Sequence, residues 1–246
     1  MANSSDVRLS VVIPAYNEEV RLPDTLLQSL QYLEAQSYSS EVIVVDDGST
    51  DGTARVVRQR NGISLPVSLV AHPDGSNHGK GASVRLGMLA ARGAYRLFMD
   101  ADNSTTLDQV ERFWPFFDKG CEVVIGSRNV KGAVVAKHQA VYKEMAGRCG
   151  NYVIRALLVP GIGDTQAGFK MFTRKSAETI FSRLTIERWG YDFEILAIAR
   201  CHGYRICEAP IVWINAPGSK VGLGSYFQVL FEVFRVKCNL KRGRYK

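Results

Sequence analysis

Apolar runs of strand length alternate with amphipathic segments of helix length along the first half of this 246-residue chain. The predicted strands are Leu9 to Ile13, Glu41 to Val45, Val67 to Ala71, Tyr95 to Met99, Glu122 to Gly126 and, further along, Phe169 to Thr173. Between the first two, leucines from Leu22 to Leu33 recur at helical spacing with Pro23 in the first turn. This alternation predicts an α/β fold, a mainly parallel sheet flanked by helices.

Three further helices are expected in the first half. Ser49 or Thr50 is the predicted cap of the second helix, Gly79 opens a third, and Leu107 to Lys119 forms a fourth. The alternation then loosens into a weakly polar stretch from Val134 to Val159, which is followed by a short strand and further helices. Because no Pro- or Ser-rich linker separates the halves, we expect one compact unit.

The composition, 46% hydrophobic and 22% charged, is ordinary for a globular protein and excludes the disordered and fibrous classes. No run reaches the roughly 18 apolar residues that a transmembrane helix needs, and the first residues lack the apolar core of a signal peptide. We therefore expect a cytosolic protein. The cysteines are odd in number and lack CxxC spacing, so we expect them to be reduced and mostly buried: Cys121, Cys149, Cys201, Cys207 and Cys238.

The net charge of +7 is concentrated at the C-terminus, where six basic residues and no acid lie between Arg235 and Lys246. The overlapping stretch from Ser225 to Val236 is rich in aromatic and aliphatic residues. This combination favours an amphipathic helix lying in a membrane interface, with basic side chains near anionic lipid. The alternative is a terminal helix whose apolar positions belong to the core. Nucleic-acid binding would rest on the basic tail alone, and we do not expect it.

Polar residues follow the predicted strands, where ligands bind in open α/β sheets. They form three groups: Pro14 to Glu18, Asp46 to Thr53 and Asp100 to Asp102. A dinucleotide site is not indicated, because no GxGxxG follows the first strand. A P-loop is not indicated either, because Gly75 to Gly81 is one residue short of GxxxxGK and lacks the Ser or Thr that binds magnesium.

The acidic pair Asp100 and Asp102 suits a hard divalent cation, Mg²⁺ or Mn²⁺, that also touches substrate phosphates. Taken alone, the pair is better explained as a capping or solvated acidic turn. Its position at a strand end, level with Asp46 and Asp47, favours the metal site.

The other candidates point to a nucleotide. Asp47 can accept a hydrogen bond from a base N–H, while Tyr16 and Pro14 offer a flat wall for a ring. Lys80, at the start of a helix, can meet a phosphate. The alternatives are a helix cap at Ser49 with an acidic first turn, and a solvent-exposed lysine.

Taken together, VVIPAYNEE, VIVVDDGSTDGT, GKGASVRLGM, MDADNST and VIGSRN resemble the inverting glycosyltransferases of family 2, which have the GT-A fold. In the second half, GDTQAGFKMFTR, ERWGYDFEIL and APIVWINAPGSK look like the dolichyl-phosphate β-glucosyltransferase branch. The resemblance implies one catalytic domain over residues 1–224, with a nucleotide-sugar half at 7–128 and an acceptor half at 129–224. Residues 225–246 form the amphipathic basic segment.

The resemblance also implies site residues. The nucleotide-sugar side comprises Pro14, Tyr16, Glu18, Val45, Asp47, Lys80, Asp100, Ala101 and Asp102, with the metal at Asp100 and Asp102. Arg128 and Lys220 match basic residues that contact the donor or acceptor phosphates. The acceptor side comprises Asp164, Gln166, Lys170 and Trp189. Asp192 and Glu194 lie two apart and point to different sides of a helix, and we expect Asp192 to face the acceptor as the candidate base.

Two departures from the mannosyl relatives bear on specificity. Ile214 stands where those relatives have arginine, which favours the glucosyl branch, and Ser104 stands where they tend to have glutamine. The expected reaction is inverting transfer of a hexose, glucose from UDP-glucose, to a polyprenyl or dolichyl phosphate at the cytosolic face of a membrane. The alternatives are a mannosyl donor, a sugar hydroxyl as acceptor in polysaccharide or cell-envelope synthesis, and a non-catalytic nucleotide-sugar or lipid-binding regulator.

Overall fold

A seven-stranded sheet forms the centre of the protein in a computed structural model that describes residues 7–59, 65–137, 150–215 and 223–246. Its order is β3-β2-β1-β4-β7-β5-β8, and β6 pairs with β9 in a separate two-stranded ribbon. The strands are β1 (Leu9–Ala15), β2 (Ser40–Asp46), β3 (Val67–Ala71), β4 (Tyr95–Met99), β5 (Val123–Ser127), β6 (Val134–Lys137), β7 (Phe169–Thr173), β8 (Ile206–Pro210) and β9 (Val212–Ile214).

The strand order determines which edge of the sheet can carry a binding site. The chain runs outward from β1 to β2 and β3, then returns to β4 on the other side of β1, so the strand order reverses between β1 and β4. Strand β7 is antiparallel to both β4 and β5, and the other pairings in this sheet are parallel. The start of β7 therefore lies at the same edge as the ends of β1, β2, β4 and β5.

Helices cover both faces of the sheet and create two hydrophobic cores. Helix α1 and the segment from Leu107 to Asp118 lie over one face, and α3, α6, α7 and α8 lie over the other. The helices are α1 (Leu22–Glu34), α2 (Thr53–Arg58), α3 (Lys80–Ala90), α4 (Trp114–Asp118), α5 (residues 150–157), α6 (Arg174–Arg183), α7 (Tyr191–Cys201) and α8 (Leu223–Lys241). None of the described helices is long and apolar enough to cross a bilayer.

The expected α/β class is confirmed, and the predicted strands agree with the structure within two residues at each end. Two helix predictions were wrong. The N-cap of α2 is Gly52 rather than Ser49 or Thr50, because both of those residues are used to join two loops. The segment from Leu107 begins as a 3-10 helix, and α4 starts anew with Pro115 in its first turn, where a proline needs no N–H partner.

The cysteine prediction was also wrong in part. Cys121 and Cys207 form a disulfide with 6.2 Å between their Cα atoms, and Cys201 and Cys238 are exposed free thiols. Cys207 belongs to β8, which pairs with β5 just beyond Cys121. The two cysteines are 86 residues apart in sequence and meet only because β8 pairs with β5. Neither the odd number of cysteines nor the lack of CxxC spacing can reveal such a contact. Cys149 lies outside the described residues.

The C-terminal segment packs against α7. Val233 and Val236 of α8 are fully buried, and Tyr245 beyond it is also fully buried. The Tyr245 hydroxyl donates to Oε1 of Glu194 at 2.6 Å. The helix is therefore attached to the body, as the alternative interpretation held, and its outer face still exposes large apolar side chains, including Phe231.

Candidate active site

The loops that leave β1 and β2 are joined side by side at the edge of the sheet. The backbone N–H of Asn17 donates to Oγ of Ser49 at 2.9 Å, and the N–H of Thr50 donates to Oδ1 of Asn17 at 2.8 Å. Asn17 adopts a φ of 51°, a conformation that asparagine tolerates better than most residues. These bonds fix a continuous polar rim over the ends of the two strands.

Asp47 organises the loop that leads into α3. Its carboxylate accepts the N–H groups of His78 and Gly79, each at 2.9 Å, and the Nδ2 of Asn77 at 2.9 Å. Gly48 follows with a φ of 73°, and a side chain there would lie 2.7 Å from the backbone of residue 76. Asp47 is therefore a structural anchor of this loop, and its contact with a nucleoside base stays a prediction.

The predicted wall for a ring is only partly exposed. Pro14 and Val45 are buried inside β1 and β2, whereas Tyr16, just beyond β1, is 39% exposed. Tyr16 is thus the member of this group that presents a flat surface at the rim.

A salt bridge connects the loop after β1 with the loop after β4. Arg21 donates through Nε to Oε2 of Glu18 at 2.7 Å, and its Nη1 lies 3.8 Å from Oδ2 of Asp102. The hydrogen bond that Arg21 donates to Glu18, reinforced by the charges of Glu18, Asp102 and Asp100, raises the pKa of Arg21. The structure thus pairs Glu18 with Arg21, which places a permanent cation beside the acidic pair.

Asp100 occupies a crevice made by β4 and β7. Met99 pairs with Phe169 across the two strands, so Gly168 lies directly beside Asp100. A Cβ atom on Gly168 would stand 2.2 Å from Oδ2 of Asp100, closer than any side chain allows. Nζ of Lys80, at the start of α3, lies 2.5 Å from Oδ1.

The charges at this point depend on each other. Burial disfavours the charged form of Lys80, but the carboxylates of Asp100, Asp192 and Asp102 outweigh burial and raise its pKa. Burial raises the pKa of Asp100, with a further contribution from Asp102, against the opposing effect of Lys80. A half-buried ammonium is therefore held in its charged form where two aspartates converge.

Asp102 is about as accessible as Asp100, whose side chain is 31% exposed. Its Oδ1 accepts the N–H of Ser104 at 3.0 Å, and its side chain is 26% exposed. Ala101 between them is buried, and its carbonyl accepts the hydroxyl of Thr25 of α1 at 2.8 Å. The bond to Thr25 therefore anchors the turn that carries both aspartates.

Lys170 and Asp192 form a second ion pair, and this one is buried. Lys170 of β7 is fully buried, and its Nζ donates to Oδ1 of Asp192 and, at 2.5 Å, to the carbonyl of Ala167. Its Nζ also lies 5.5 Å from the centre of the Phe98 ring. Lys170 therefore acts on Asp192 rather than on a ligand in solution.

The two acids of α7 face opposite ways, as the sequence predicts. Asp192 is directed at Lys170, whereas Glu194 accepts the N–H of Ile186 at 2.7 Å and the hydroxyl of Tyr245. Between Asp192 and the sheet, the buried hydroxyl of Tyr191 makes no regular hydrogen bond to the described part of the chain. Burial, together with the charges of Asp192 and Asp100, raises the pKa of Tyr191.

Arg128 is clamped at the end of β5. Its Nε and Nη2 donate to the two oxygens of Asp164 at 2.7 and 2.9 Å, and the guanidinium lies 5.3 Å from the Trp213 ring. Asp164 is in turn fixed by Glu208, which accepts the N–H groups of Gly163 and Asp164 at 2.7 and 3.1 Å. Burial opposes ionisation of Asp164, but Arg128 prevails and lowers its pKa.

A comparison with known proteins decides the family. Residues 10–181 match the model of Glycosyl transferase family 2. The chain belongs to this family. Dolichyl-phosphate β-glucosyltransferase from Dictyostelium discoideum is 34% identical over 98% of this chain and 77% of its own length, and the human protein of that name is 33% identical over 99% and 79%. The protein is a glycosyltransferase.

The GT-A fold is also confirmed. Glucosyl-3-phosphoglycerate synthase from Mycobacterium tuberculosis, solved with Mn²⁺, uridine-diphosphate-glucose and phosphoglyceric acid, superimposes with a TM-score of 0.69. At 19% identity, over 94% of this chain and 79% of that one, the likeness concerns the fold.

The acidic pair of this family 2 enzyme fits a cation that is shared with a substrate. Oδ1 of Asp100 is buried and, apart from its close approach to Lys80, makes no regular hydrogen bond among the described residues. No cluster of three or more His, Cys, Asp or Glu ligands occurs in the described ranges. Two carboxylates therefore suit Mg²⁺ or Mn²⁺ that takes its remaining ligands from phosphate oxygens and water.

The remaining predicted residues lie at the margin or outside the described chain. Gln166 and Trp189 are half-buried on the segments that precede β7 and α7. Lys220, with the rest of its GSK motif, lies outside the described residues. The structure thus brings Asp100, Asp102 and Lys80 together, with Asp192 close enough to act on Lys80 electrostatically.

Several residues of this family 2 site were missed by sequence reasoning. They are Arg21, Gly168, Tyr191, Glu208 and Trp213. The motif around Gly168 was recognised, but nothing local in the sequence shows that its glycine lies against Asp100. Glu208 was missed together with β8, whose mixed sequence Ile-Cys-Glu-Ala-Pro gives no strand periodicity.

Proposed function

We propose that this glycosyltransferase transfers glucose from UDP-glucose to dolichyl phosphate or another polyprenyl phosphate, with inversion and with a divalent cation. The observation that carries the proposal is the similarity to dolichyl-phosphate β-glucosyltransferases along almost the whole chain. The donor is supported by the fold relative that binds Mn²⁺ and uridine-diphosphate-glucose. Ile214 at the position of a mannosyl-type arginine also favours glucose.

On the donor side, the residues provide charge for the departing diphosphate. Asp100 and Asp102 would hold the cation, which supplies Lewis-acid neutralisation of the diphosphate when bound. Lys80 and Arg21 flank this pair with two further positive charges. Groups fixed in advance around a developing charge are the strongest single source of rate enhancement in many enzymes.

On the acceptor side, a phosphate oxygen attacks C1 of the glucose while the bond from C1 to the diphosphate breaks. The nucleophile enters opposite the leaving group, so the configuration at C1 inverts. A phosphomonoester has a second pKa near 6 and is mostly dianionic at neutral pH, so it needs positioning more than deprotonation. Arg128, clamped by Asp164, together with Asp192 and Lys220, provides the groups that we assign to this positioning.

The acceptor is a membrane lipid, and α8 offers a surface for it. Phe231 and Phe234 are 71% and 59% exposed, and Leu230 lies beside them at 40%. Exposed basic residues continue the same face toward the C-terminus: Arg235, Lys241 and Arg242. Apolar insertion plus roughly 1 kcal/mol for each basic residue near an anionic surface would hold the protein on the cytosolic leaflet.

A vesicle flotation experiment tests this surface. We expect Phe231→Glu with Phe234→Glu to abolish flotation on anionic vesicles of phosphatidylserine and phosphatidylcholine. Leu27→Glu is the matched control, because Leu27 is an exposed leucine on α1 at the opposite face of the sheet. Equal flotation of the wild type and the double variant would refute the membrane role of α8.

An assay with labelled donors tests the reaction itself. The protein is incubated with UDP-glucose or GDP-mannose, a short polyprenyl phosphate and Mn²⁺ or Mg²⁺, and the product is extracted into organic solvent. We expect a glucose-labelled lipid that is made from UDP-glucose only, and no lipid-soluble product when EDTA is present. Label transferred only to a water-soluble acceptor would contradict the proposal.

A further inference from the structure

A buried carboxylate connects α8 with the start of α7. Glu232 lies in α8 beside Val233 and is only 6% exposed, although its neighbour Phe231 faces solvent. Its Oε2 accepts the backbone N–H of Gly190 at 2.7 Å, and its Oε1 accepts Nε2 of Gln228 at 3.0 Å. Burial raises the pKa of Glu232. Because burial disfavours the charged form of this carboxylate, its hydrogen bonds with Gln228 and with the N–H of Gly190 are the interactions that compensate.

The backbone partner of Glu232 is Gly190, the residue at which the first turn of α7 begins. Gly190 is the N-cap of α7, and Tyr191 and Asp192 are its first two helical residues. In a capping box, a glutamate inside the helix reaches back to the N-cap N–H. Here the glutamate that accepts the N-cap N–H belongs to a different helix, α8. A Cβ on Gly190 would stand 2.6 Å from Oε2 of Glu232, so this close approach requires glycine.

The first turn of α7 is also the turn that carries the buried ion pair. Asp192 binds the ammonium of Lys170 and influences Lys80, which in turn lies against Asp100. A shift of the N-cap moves Tyr191 and Asp192 together, since both lie in the same helical turn. The orientation of this turn is therefore set by the contact with α8.

We propose that Glu232 is a positioning residue, which acts through the N–H of Gly190 to hold Asp192 in register with Lys170 and the acceptor site. Phe231 and Phe234 lie on the outer face of α8, which we assign to the membrane. The inner face of the same helix carries Glu232 and so holds the first turn of α7, which contains Asp192. The kinetic part of this inference rests on the proposed function, and the structural part does not.

Amide hydrogen exchange tests the structural part. Glu232→Ala is expected to speed exchange at Gly190 to Phe193 about 10-fold or more, the amount that one lost hydrogen bond of roughly 1.4 kcal/mol produces. Glu232→Gln keeps an oxygen that accepts the Gly190 N–H and should preserve protection. Gln228→Ala leaves that bond in place and should also preserve it. Unchanged exchange in Glu232→Ala would overturn the inference.

Turnover tests the functional part. We expect kcat of Glu232→Ala to fall about 10-fold with the donor KM unchanged, and Glu232→Gln to recover it. Val233→Ala, which removes buried apolar contacts from the same helix, should lower Tm without this kinetic pattern. In the Lys170→Met/Asp192→Asn background, Glu232→Ala should cause no further loss of kcat, because Glu232 acts through Asp192.

Two outcomes separate the hypotheses. Additive losses, or a kcat in Glu232→Ala equal to that of Val233→Ala, would show that Glu232 supports the fold alone. A wild-type protein that makes no lipid-linked glucose would refute the proposed function instead, and the exchange experiment would still decide whether Glu232 holds the start of α7.

Discussion

Lys80 and Asp100 are in direct contact in the site, with 2.5 Å between Nζ and Oδ1, although one opens helix α3 and the other directly follows strand β4. The same oxygen of Asp100 is the one expected to meet a cation. Lys80 therefore neutralises Asp100 in this structure, and we propose that it would turn toward the diphosphate of a bound donor. Asp102, which makes no such close contact with a lysine and lies 3.8 Å from Arg21, is the second carboxylate that we assign to the cation.

Asp102→Ala is expected to abolish turnover without unfolding the protein. Asp102 makes one hydrogen bond to the Ser104 N–H and a long contact with Arg21, so its structural contribution is small. Steady-state kinetics with Mn²⁺, together with a thermal melt, measures both effects. Asp118→Ala removes an exposed acid at the end of α4 and should leave both unchanged. Full activity of Asp102→Ala, or of the wild type in excess EDTA, would refute the metal role.

Gly168→Ala is expected to inactivate the enzyme by displacing Asp100. The added Cβ would lie 2.2 Å from Oδ2 of Asp100 and 2.5 Å from Oδ1, so the carboxylate must move away from Lys80. We expect kcat to fall by about 100-fold, a magnitude that a displacement of about 1 Å in an active site can cause. In Gly150→Ala the methyl group meets open space, so this variant should retain wild-type kcat. Wild-type kinetics in Gly168→Ala would show that Asp100 need not occupy this crevice.

The polar ends of the first strands could be predicted because the parallel pattern brings consecutive strand ends to one edge. The acidic pair and Lys80 therefore followed from their positions in the sequence. The pairing of Lys170 with Asp192 did not, because it depends on β7 running antiparallel between β4 and β5. The role of Glu208, which holds the backbone at Asp164, could not be predicted for a similar reason, since it follows from the pairing of β8 with β5.

The Arg128–Asp164 pair predicts a pH-dependent contribution to stability. Arg128 lowers the pKa of Asp164, so the stabilisation is fully present above the unfolded-state value of about 3.9 and is lost as the pH falls through the folded-state pKa. Asp164→Asn should lower the free energy of unfolding by roughly 2 kcal/mol at pH 7, the contribution of a hydrogen bond to a charged group.

Denaturant unfolding of the wild type and Asp164→Asn between pH 3 and pH 7 tests this prediction. The two curves should lie apart at neutral pH and converge as the pH falls below about 4. A difference that stayed constant over this range would show that the ionised carboxylate contributes nothing beyond its shape.

Asp192→Asn alone is a compromised test of a catalytic base, because it also leaves the fully buried Lys170 ammonium without its carboxylate. Breaking one side of a buried pair typically costs about 3–5 kcal/mol. We therefore expect Asp192→Asn to lower the free energy of unfolding by that order, and Lys170→Met combined with Asp192→Asn to regain part of it. Chemical denaturation of the three proteins measures the effect.

The double variant then separates the two possible acceptors. A lipid phosphate is already ionised at neutral pH, so turnover in Lys170→Met/Asp192→Asn should stay within about 100-fold of the wild type, since a general base contributes about 10²- to 10⁴-fold only where a proton must be removed. The wild-type rate should also fall as the pH drops below about 6, following the second ionisation of the phosphate. A loss of three or more orders of magnitude, in a double variant that still binds donor and metal, would instead assign Asp192 as the base for a hydroxyl acceptor, because a hydroxyl is almost wholly protonated at neutral pH and cannot attack without one.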